Sequence, residues 1–172
     1  MLAEGAFVAG MAAAAGFDLA SRRVPNRLTV GLLALGILVR AASGGVTAAG
    51  WGVAGAAAGL GWLLLPFARG WMGGGDVKLA AAIGAWLGPM GATLAVLFGL
   101  VGGGLLALFA LATSGSALRA EVATNLRNAL YAQRIPVIAR RPASKMIPLA
   151  VALAAAAVGV LVHQGGLDAF FA

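Results

Sequence analysis

Gly73-Gly74-Gly75-Asp76-Val77-Lys78 is the stretch of sequence around which the chain is organised. Three glycines lead directly into an aspartate, and an apolar helical pattern follows over residues 79–87. Apolar segments flank the stretch on both sides. Because a carboxylate is costly at membrane depth, the few ionisable groups found there tend to mark function. The sequence therefore raises the question of which group works with Asp76.

The composition is that of a membrane protein. Of the 172 residues, 62% are hydrophobic and 10% are charged, and the mean hydropathy is +0.98. Repeated apolar runs of about 20 residues predict transmembrane helices. The lack of cysteine excludes disulfides, thiolate zinc sites and cysteine nucleophiles, and the single histidine, His163, excludes a histidine-rich metal site. We expect one membrane-embedded domain over 1–172, with no metal and no cofactor.

The fold that we predict is an all-α integral membrane protein with about six transmembrane helices. Turn residues separate the apolar runs at Ser43-Gly44-Gly45 and at Gly88-Pro89. Pro25 suits a turn or a first helical position, and Asn26 is expected to cap the second helix. The predicted spans cover roughly 2–19, 28–42, 46–67, 76–87, 92–112 and 146–163.

Basic residues predict the orientation of these spans. With the N-terminus outside, three connections face the cytoplasm, at 20–27, 68–78 and 114–145, and together they carry every Lys and Arg of the chain except Arg40. The positive-inside rule therefore favours this orientation strongly. It also explains the net charge of +7 without nucleic acid as a partner. Within the last connection, apolar residues recur every four positions over 116–132, which predicts an amphipathic helix on the cytoplasmic surface; a linker helix packed on the bundle is the alternative.

Asp18 and Asp76 are predicted to lie at the same membrane face, because each ends its span on the cytoplasmic side. Two carboxylates held close cannot easily both ionise, so one is able to take a proton from water while the other donates one. Asp76 begins a helix and Asp18 ends one, and the helix dipole therefore favours Asp76 as the ionised member. The fourth span, at about 20 Å, is shorter than the bilayer, which places Asp76 at or just below the membrane surface.

Three blocks of sequence resemble the type IV prepilin peptidase family. Gly73-x-Gly75-Asp76, followed by Val77-Lys78-Leu79, looks like the GxGD motif of that family. Asp18, followed by Val24-Pro25-Asn26-Arg27-Leu28-Thr29, is similar to its first aspartate and its Pro-Asn block. Lys145-Met146-Ile147-Pro148-Leu149-Ala150 resembles a weaker third block that opens the last helix.

The resemblance implies a GxGD membrane aspartic protease with Asp18 and Asp76 as its catalytic pair. It implies cleavage of short basic leader peptides from prepilins or pseudopilins at the cytoplasmic face of the inner membrane. Larger members of the family also methylate the new N-terminus, whereas this chain is similar to the small, peptidase-only branch of Flp-type (tight-adherence) pili, which is related to archaeal preflagellin peptidases. We therefore expect no methyl transfer. The residues expected to shape the site are Gly73, Gly74, Gly75, Lys78, Pro25, Asn26 and Pro148.

Two other classes of function compete with a protease. A transporter or proton-conducting subunit could use the two aspartates as a relay, although transport sites usually lie near the midplane, between broken helices. A non-catalytic assembly component of a pilus or secretion system would tolerate Asp18→Asn and Asp76→Asn. Simpler explanations also exist for single residues: the three glycines could be a flexible turn before a helix cap, and Lys78 could extend to lipid headgroups rather than act in chemistry.

Overall fold

A computed structural model describes residues 2–21, 23–113, 120 and 149–167 of the chain. These residues form helices joined by turns, without a strand, which confirms the predicted all-helical class. Three of the helices are long and apolar enough to cross a membrane, and the last is a shorter apolar helix. The predicted surface helix over 116–132, apart from residue 120, and Pro148 lie outside the described residues. The helices are α1 (Leu2–Ser21), α2 (Asn26–Ala68), α3 (Gly74–Thr113) and α4 (Leu149–His163).

Helix α2 folds back on itself at Gly44 and Gly45. A side-chain carbon built on Gly52 would lie 3.7 Å from Cγ1 of Ile37, although a straight helix would separate these two positions by about 22 Å. Gly45 has φ 67° and ψ −154°, a combination that is essentially open to glycine alone. The break lies at the predicted turn, so α2 contains two helical segments that pack against each other.

Helix α3 folds back in the same way at Gly88, which has φ 71° and ψ −176°. Gly59 of α2 packs against Ala80, and one turn further along α2 the indole Nε1 of Trp62 donates to Oγ1 of Thr93 at 3.1 Å. In a straight α3, Ala80 and Thr93 would be about 20 Å apart, too far for neighbouring positions of α2 to reach both. This break also lies at a predicted turn.

Arg40, the basic residue predicted to lie on the outer side, is buried within the bundle. Its side chain is 2% exposed, its Nε donates to the carbonyl oxygen of Trp86 at 3.1 Å, and its guanidinium lies beside Gly88. Carbonyl groups at the end of a helical segment lack partners within the helix and favour a positive charge. Arg40 therefore stabilises the break in α3, a structural role that does not depend on which side of a membrane it faces.

The contacts between α1 and α4 define two ends of the bundle. At one end, Glu4 accepts a hydrogen bond from the N–H of Leu167 at 3.2 Å. At the other end, Asp18 accepts one from the N–H of Ala150 at 3.1 Å, so the two helices are antiparallel. We call this second end the site end. It also contains the connection before α2, at 23–25, and the connection before α3, at 69–73.

The first segment of α3, residues 74–87, lies at the centre of the bundle. Every residue from Leu79 to Gly88 is buried. Trp86 is fully buried, and its Nε1 donates to the carbonyl oxygen of Leu32 at 2.8 Å while its ring lies 5.5 Å from that of Phe7. The surrounding helices therefore enclose this segment. The other tryptophans are about half exposed, in agreement with a role as surface anchors: Trp51, Trp62 and Trp71.

Glycines at small-residue spacings allow the helix backbones to approach closely. Gly55 of α2 lies against the carbonyl oxygen of Gly84, and Gly84 lies against that of Gly55. Gly99 and Gly103 of α3 lie against α4. A side chain at these positions would overlap its neighbour, so it is glycine that allows the helices to pack this closely.

Candidate active site

Two of the predicted blocks meet at the site end through the connection before α2. A side-chain carbon built on Gly75 would lie 3.8 Å from both the backbone N and the Cβ of Val24, so this connection lies on the first turn of α3. Beside that contact, Nζ of Lys78 donates to Oδ1 of Asn26 at 2.8 Å. The start of α2 is therefore held against the start of α3 both by packing and by a side-chain hydrogen bond.

Asp18, also at the site end, makes a contact with the start of α4. It lies in the last turn of α1 and is only 7% exposed. Its Oδ2 accepts a hydrogen bond at 3.1 Å from the N–H of Ala150, a residue 132 positions away. The first N–H groups of a helix have no partner within that helix, so Asp18 supplies to α4 an acceptor that α4 itself lacks.

Asp76 lies in the first turn of α3, which begins at Gly74 rather than at Asp76 as predicted. Its side chain is partly buried and accepts a hydrogen bond from the N–H of Gly73. An acidic side chain that reaches back to the N–H just before its helix forms half of a capping box. Asp76 also interacts electrostatically with Asp18. The structure thus brings the two predicted aspartates together.

The helix dipole was expected to favour charge on Asp76 over Asp18, because each aspartate was considered only with the helix that carries it. Asp76 does lie in the first turn of α3, as expected. Asp18, however, lies both at the end of α1 and at the first turn of α4, through its hydrogen bond from Ala150. Because a helix N-terminus favours negative charge, both carboxylates benefit from one. Helix dipoles therefore do not distinguish the proton acceptor from the donor.

The arrangement suits hydrolysis by a pair of carboxylates. Both groups are withdrawn from solvent and each has a backbone N–H donor, from Gly73 for Asp76 and from Ala150 for Asp18. Two interacting carboxylates share protons as a pair, so one is able to act as a base while the other acts as an acid. A peptide bond placed between them would meet both groups that its hydrolysis needs.

The three glycines before Asp76 leave room beside the backbone, and they do not provide unusual backbone angles. Glycine permits backbone angles that are closed to other residues, but none of Gly73, Gly74 and Gly75 has a positive φ. Gly74 and Gly75 are already part of α3, whose helical angles are open to every residue except proline. The left-handed conformation is instead taken by Gly70, with φ 73°. The glycines leave the backbone beside Asp76 uncovered by side chains.

The Pro-Asn block also differs from its predicted role. Pro25, not Asn26, is the N-cap residue of α2, and it makes no side-chain capping hydrogen bond. Asn26 is the first helical residue, and its side-chain oxygen accepts from Lys78 instead. The expectation that Asn26 caps the helix is therefore wrong, because the lysine ammonium takes the oxygen that a cap would use. The Lys78 side chain is exposed, but its ammonium donates a hydrogen bond to the side chain of Asn26 in the Pro-Asn block.

Two features of the site were not predicted from the sequence. One is the N–H of Ala150 as the donor to Asp18, and the other is the contact of Val24 with Gly75. Backbone groups carry no signature of their own in a sequence. The only available signal was that Ala150 ends the third block of the resemblance. Among the described residues, no group of three or more His, Cys, Asp or Glu side chains comes together that could hold a metal ion.

Comparison with known proteins identifies a family. The family model described as "Type IV leader peptidase family" matches residues 5–108, which contain Asp18, the Pro-Asn block and the glycine stretch with Asp76. No curated protein and no solved structure matches the chain. Ala150 lies beyond the matched region.

Proposed function

Because the chain belongs to the type IV leader peptidase family, we propose that it is an aspartic endopeptidase that removes the leader peptide from Flp-like type IV prepilins. The family makes the chain a protease of the leader-peptidase type. The finer assignment to prepilins or pseudopilins with basic leaders, and to the peptidase-only branch without methyl transfer, rests on the resemblance of the motifs around Asp18 and Asp76.

The observation that carries the proposed mechanism is the interaction of Asp18 with Asp76, each held by a backbone N–H. In the proposed reaction, the ionised carboxylate takes a proton from a water molecule, and the water oxygen attacks the scissile carbonyl carbon. The protonated carboxyl donates its proton to the carbonyl oxygen. When the tetrahedral intermediate collapses, the C–N bond breaks and the leaving nitrogen receives the proton that the first carboxylate took, while a hydroxyl of the intermediate returns a proton to the second carboxylate as the new carbonyl forms. The pair thereby returns to its starting protonation.

We propose that the site end faces the cytoplasm in a bundle of six spans in the inner membrane. The exposed basic residues of the described chain support this orientation, because they lie at the site end: Arg23, Arg27, Arg69 and Lys78. The segment of α3 that carries Asp76 spans about 21 Å, against a hydrocarbon core of about 30 Å. Since its neighbours enclose it, the short segment is accommodated by protein rather than by a thinner bilayer. Asp76 is then placed just below the membrane surface, within reach of water.

A cleavage assay in liposomes tests the proposed reaction. A prepilin would be incubated with the wild-type protein, with Asp18→Asn and with Asp76→Asn, and the product N-terminus would be read by mass spectrometry. We expect removal of the leader by the wild type alone, with an unmethylated product even when a methyl donor is added. Cleavage by either folded variant would remove that aspartate from the mechanism. If the folded wild type cleaves none of several precursors, the transport and assembly functions become the better explanation.

The orientation has an independent test, since the chain contains no cysteine. A single cysteine introduced by Arg69→Cys would report on the site end, and one introduced by Ser43→Cys would report on the opposite end. In intact cells, an impermeant thiol reagent is expected to label the second variant and not the first. The reverse pattern would place the site end outside and would contradict the proposed cytoplasmic cleavage.

A further inference from the structure

The corner between α2 and α3 presents a fixed cation to the outside of the protein. The guanidinium carbon of Arg69 lies 5.3 Å from the centre of the Trp71 ring, within the range of a cation–π contact. Arg69 is exposed, and Trp71 is 50% exposed. A guanidinium that stacks on a ring keeps its N–H donors at its edge, where they are able to bind a phosphate group in a bidentate manner.

The backbone of this corner is fixed as well. The N–H of Gly70 donates to the carbonyl oxygen of Phe67 at 2.8 Å, and the N–H of Trp71 donates to that of Pro66 at 2.9 Å. With φ 73° at Gly70, these two hydrogen bonds form a Schellman motif, which ends α2. Arg69 and Trp71 therefore stand on either side of a defined turn, and less conformational freedom remains to be lost when a ligand binds.

An apolar groove runs along α2 towards this corner. It has a volume of about 530 Å³ and is lined by five residues of α2: Ala58, Gly61, Trp62, Leu65 and Pro66. Leu65 lies one turn before Arg69, whose N–H donates to the Leu65 carbonyl oxygen at 3.1 Å. A side-chain carbon on Gly61 would meet no atom of the described residues within 4 Å, so this glycine leaves room in the groove. The groove is thus apolar along its length and is followed by a cation.

The combination fits one class of molecule. No charged residue occurs in α2 from Val46 to Ala68, so the groove lies in the apolar part of a span and Arg69 marks its end. A tryptophan at the end of an apolar span is typical of the membrane–water interface. A ligand that is apolar along the groove and anionic beside Arg69 is a phospholipid with an acidic headgroup. A soluble anion would leave the groove empty, and a wholly apolar helix would make no use of Arg69.

We propose that this surface is a binding site for an anionic phospholipid, with the headgroup phosphate on Arg69, the ring of Trp71 behind the guanidinium, and an acyl chain in the groove beside Gly61. The proposal goes beyond the leader-peptidase activity and does not depend on it. It places the lipid at the connection formed by residues 69–73, and the last of these, Gly73, donates its N–H to Asp76.

Native mass spectrometry of the protein in detergent would measure the headgroup contact, with phosphatidylglycerol and phosphatidylcholine of the same acyl chains as probes. We expect the wild type to bind phosphatidylglycerol about fivefold more tightly, as for one basic side chain at an anionic surface. Arg69→Gln should abolish this preference, and Trp71→Leu should reduce it. Arg27→Gln removes an equal charge from the site end and should retain the preference. If Arg69→Gln and Arg27→Gln lose the preference equally, the corner is not a site and the proposal is wrong.

The groove has its own pair of variants. Gly61→Leu fills it and should weaken the binding of both lipids several-fold. Gly50→Leu should not, because Gly50 also has free space around it in the second segment of α2 but does not line the groove. Every position substituted in these tests is exposed, so the melting temperatures in lipid-free detergent should stay near that of the wild type. Equal lipid binding by Gly61→Leu and Gly50→Leu would remove the acyl chain from the groove and overturn the proposal.

Other occupants would give different results. Displacement of phosphatidylglycerol by an equal concentration of inorganic phosphate would show that the corner binds a free anion. A dimer, or a complex with a prepilin, that forms without lipid and is lost in Gly61→Leu would assign the groove to a protein helix. Either result contradicts the proposal. None of these measurements uses cleavage, so a protein that binds the lipid but cleaves no precursor would refute the proposed function and leave the lipid site standing.

Discussion

The contact between Gly55 and Gly84 predicts a large difference in stability between two similar substitutions. A side-chain carbon at Gly55 would overlap the carbonyl oxygen of Gly84 and lie 2.7 Å from both C and Cα of Gly88. All of these are backbone atoms, so no side-chain rotation is able to relieve the overlap. Gly61 lies in the same helical segment of α2, and a side-chain carbon there would meet no atom of the described residues within 4 Å. Gly55→Ala and Gly61→Ala therefore form a matched pair.

The magnitudes follow from two opposing effects. Alanine in place of glycine inside a helix stabilises by about 0.5–1 kcal/mol, and this applies to both variants. Overpacking of a tight contact costs about 1–3 kcal/mol, and this applies to Gly55→Ala alone. We therefore expect Gly61→Ala to be slightly more stable than the wild type and Gly55→Ala to be less stable. The free energies of unfolding of the two variants should differ by about 1–3 kcal/mol.

Reversible unfolding in mixed micelles of increasing denaturing detergent would measure this difference. Tryptophan fluorescence is a suitable signal, because Trp86 lies in the core, two positions after Gly84, and is fully buried. Gly84→Ala should reproduce the loss, since it meets the same backbone from the other side. If Gly55→Ala and Gly61→Ala are equally stable, the two helices do not pack backbone to backbone as described.

Three further substitutions test the core and the site. Trp86→Phe keeps a ring but loses the indole N–H, and it should lower the free energy of unfolding by about 1–3 kcal/mol because a buried hydrogen bond to Leu32 and part of the packed ring volume are lost; Trp51→Phe, on the surface, should change little, and equal effects would contradict the buried role. Ala150→Pro removes the N–H that Asp18 accepts and should reduce kcat at least tenfold, whereas Ala150→Gly keeps the N–H and should lose far less; equal losses would show that the hydrogen bond is unimportant. Gly75→Ala fits the structure, with its new carbon 3.8 Å from the nearest atoms, so a fall in kcat/KM without a change in melting temperature would show that substrate lies against this backbone, and unchanged kinetics would show that it does not.

The helix breaks and the small-residue contacts could be predicted from the sequence because both depend on local rules. Gly45 and Gly88 take angles that favour glycine, and they stand where apolar runs are interrupted. Small residues one helical turn apart leave a surface against which another backbone is able to pack, as at Gly55 and Gly84. These features follow from a few neighbouring residues.

The partners of polar groups could not be predicted, because they depend on which helix ends meet. Asn26 has the residue type and position of a helix cap, yet its oxygen binds Lys78 from a different helix. Arg40 was expected only to lie towards the outer side, at the end of the second span, and the sequence did not show that it is buried against a break in α3. Asp18 was assigned an unfavourable dipole from its own helix, while a second helix supplies a favourable one. In each case a tertiary contact outweighs the local expectation.

The hydrogen bond from Ala150 to Asp18 makes the site dependent on the order in which the chain is synthesised. A ribosome completes α1, α2 and α3, with both aspartates, before α4 is made. Throughout that interval Asp18 lacks the donor that holds it in the finished protein. Helix α4 therefore completes the junction at Asp18, and a nascent chain that has already inserted both aspartates has yet to assemble the candidate site. A substrate at the same membrane then meets an assembled junction only in molecules whose α4 has been made.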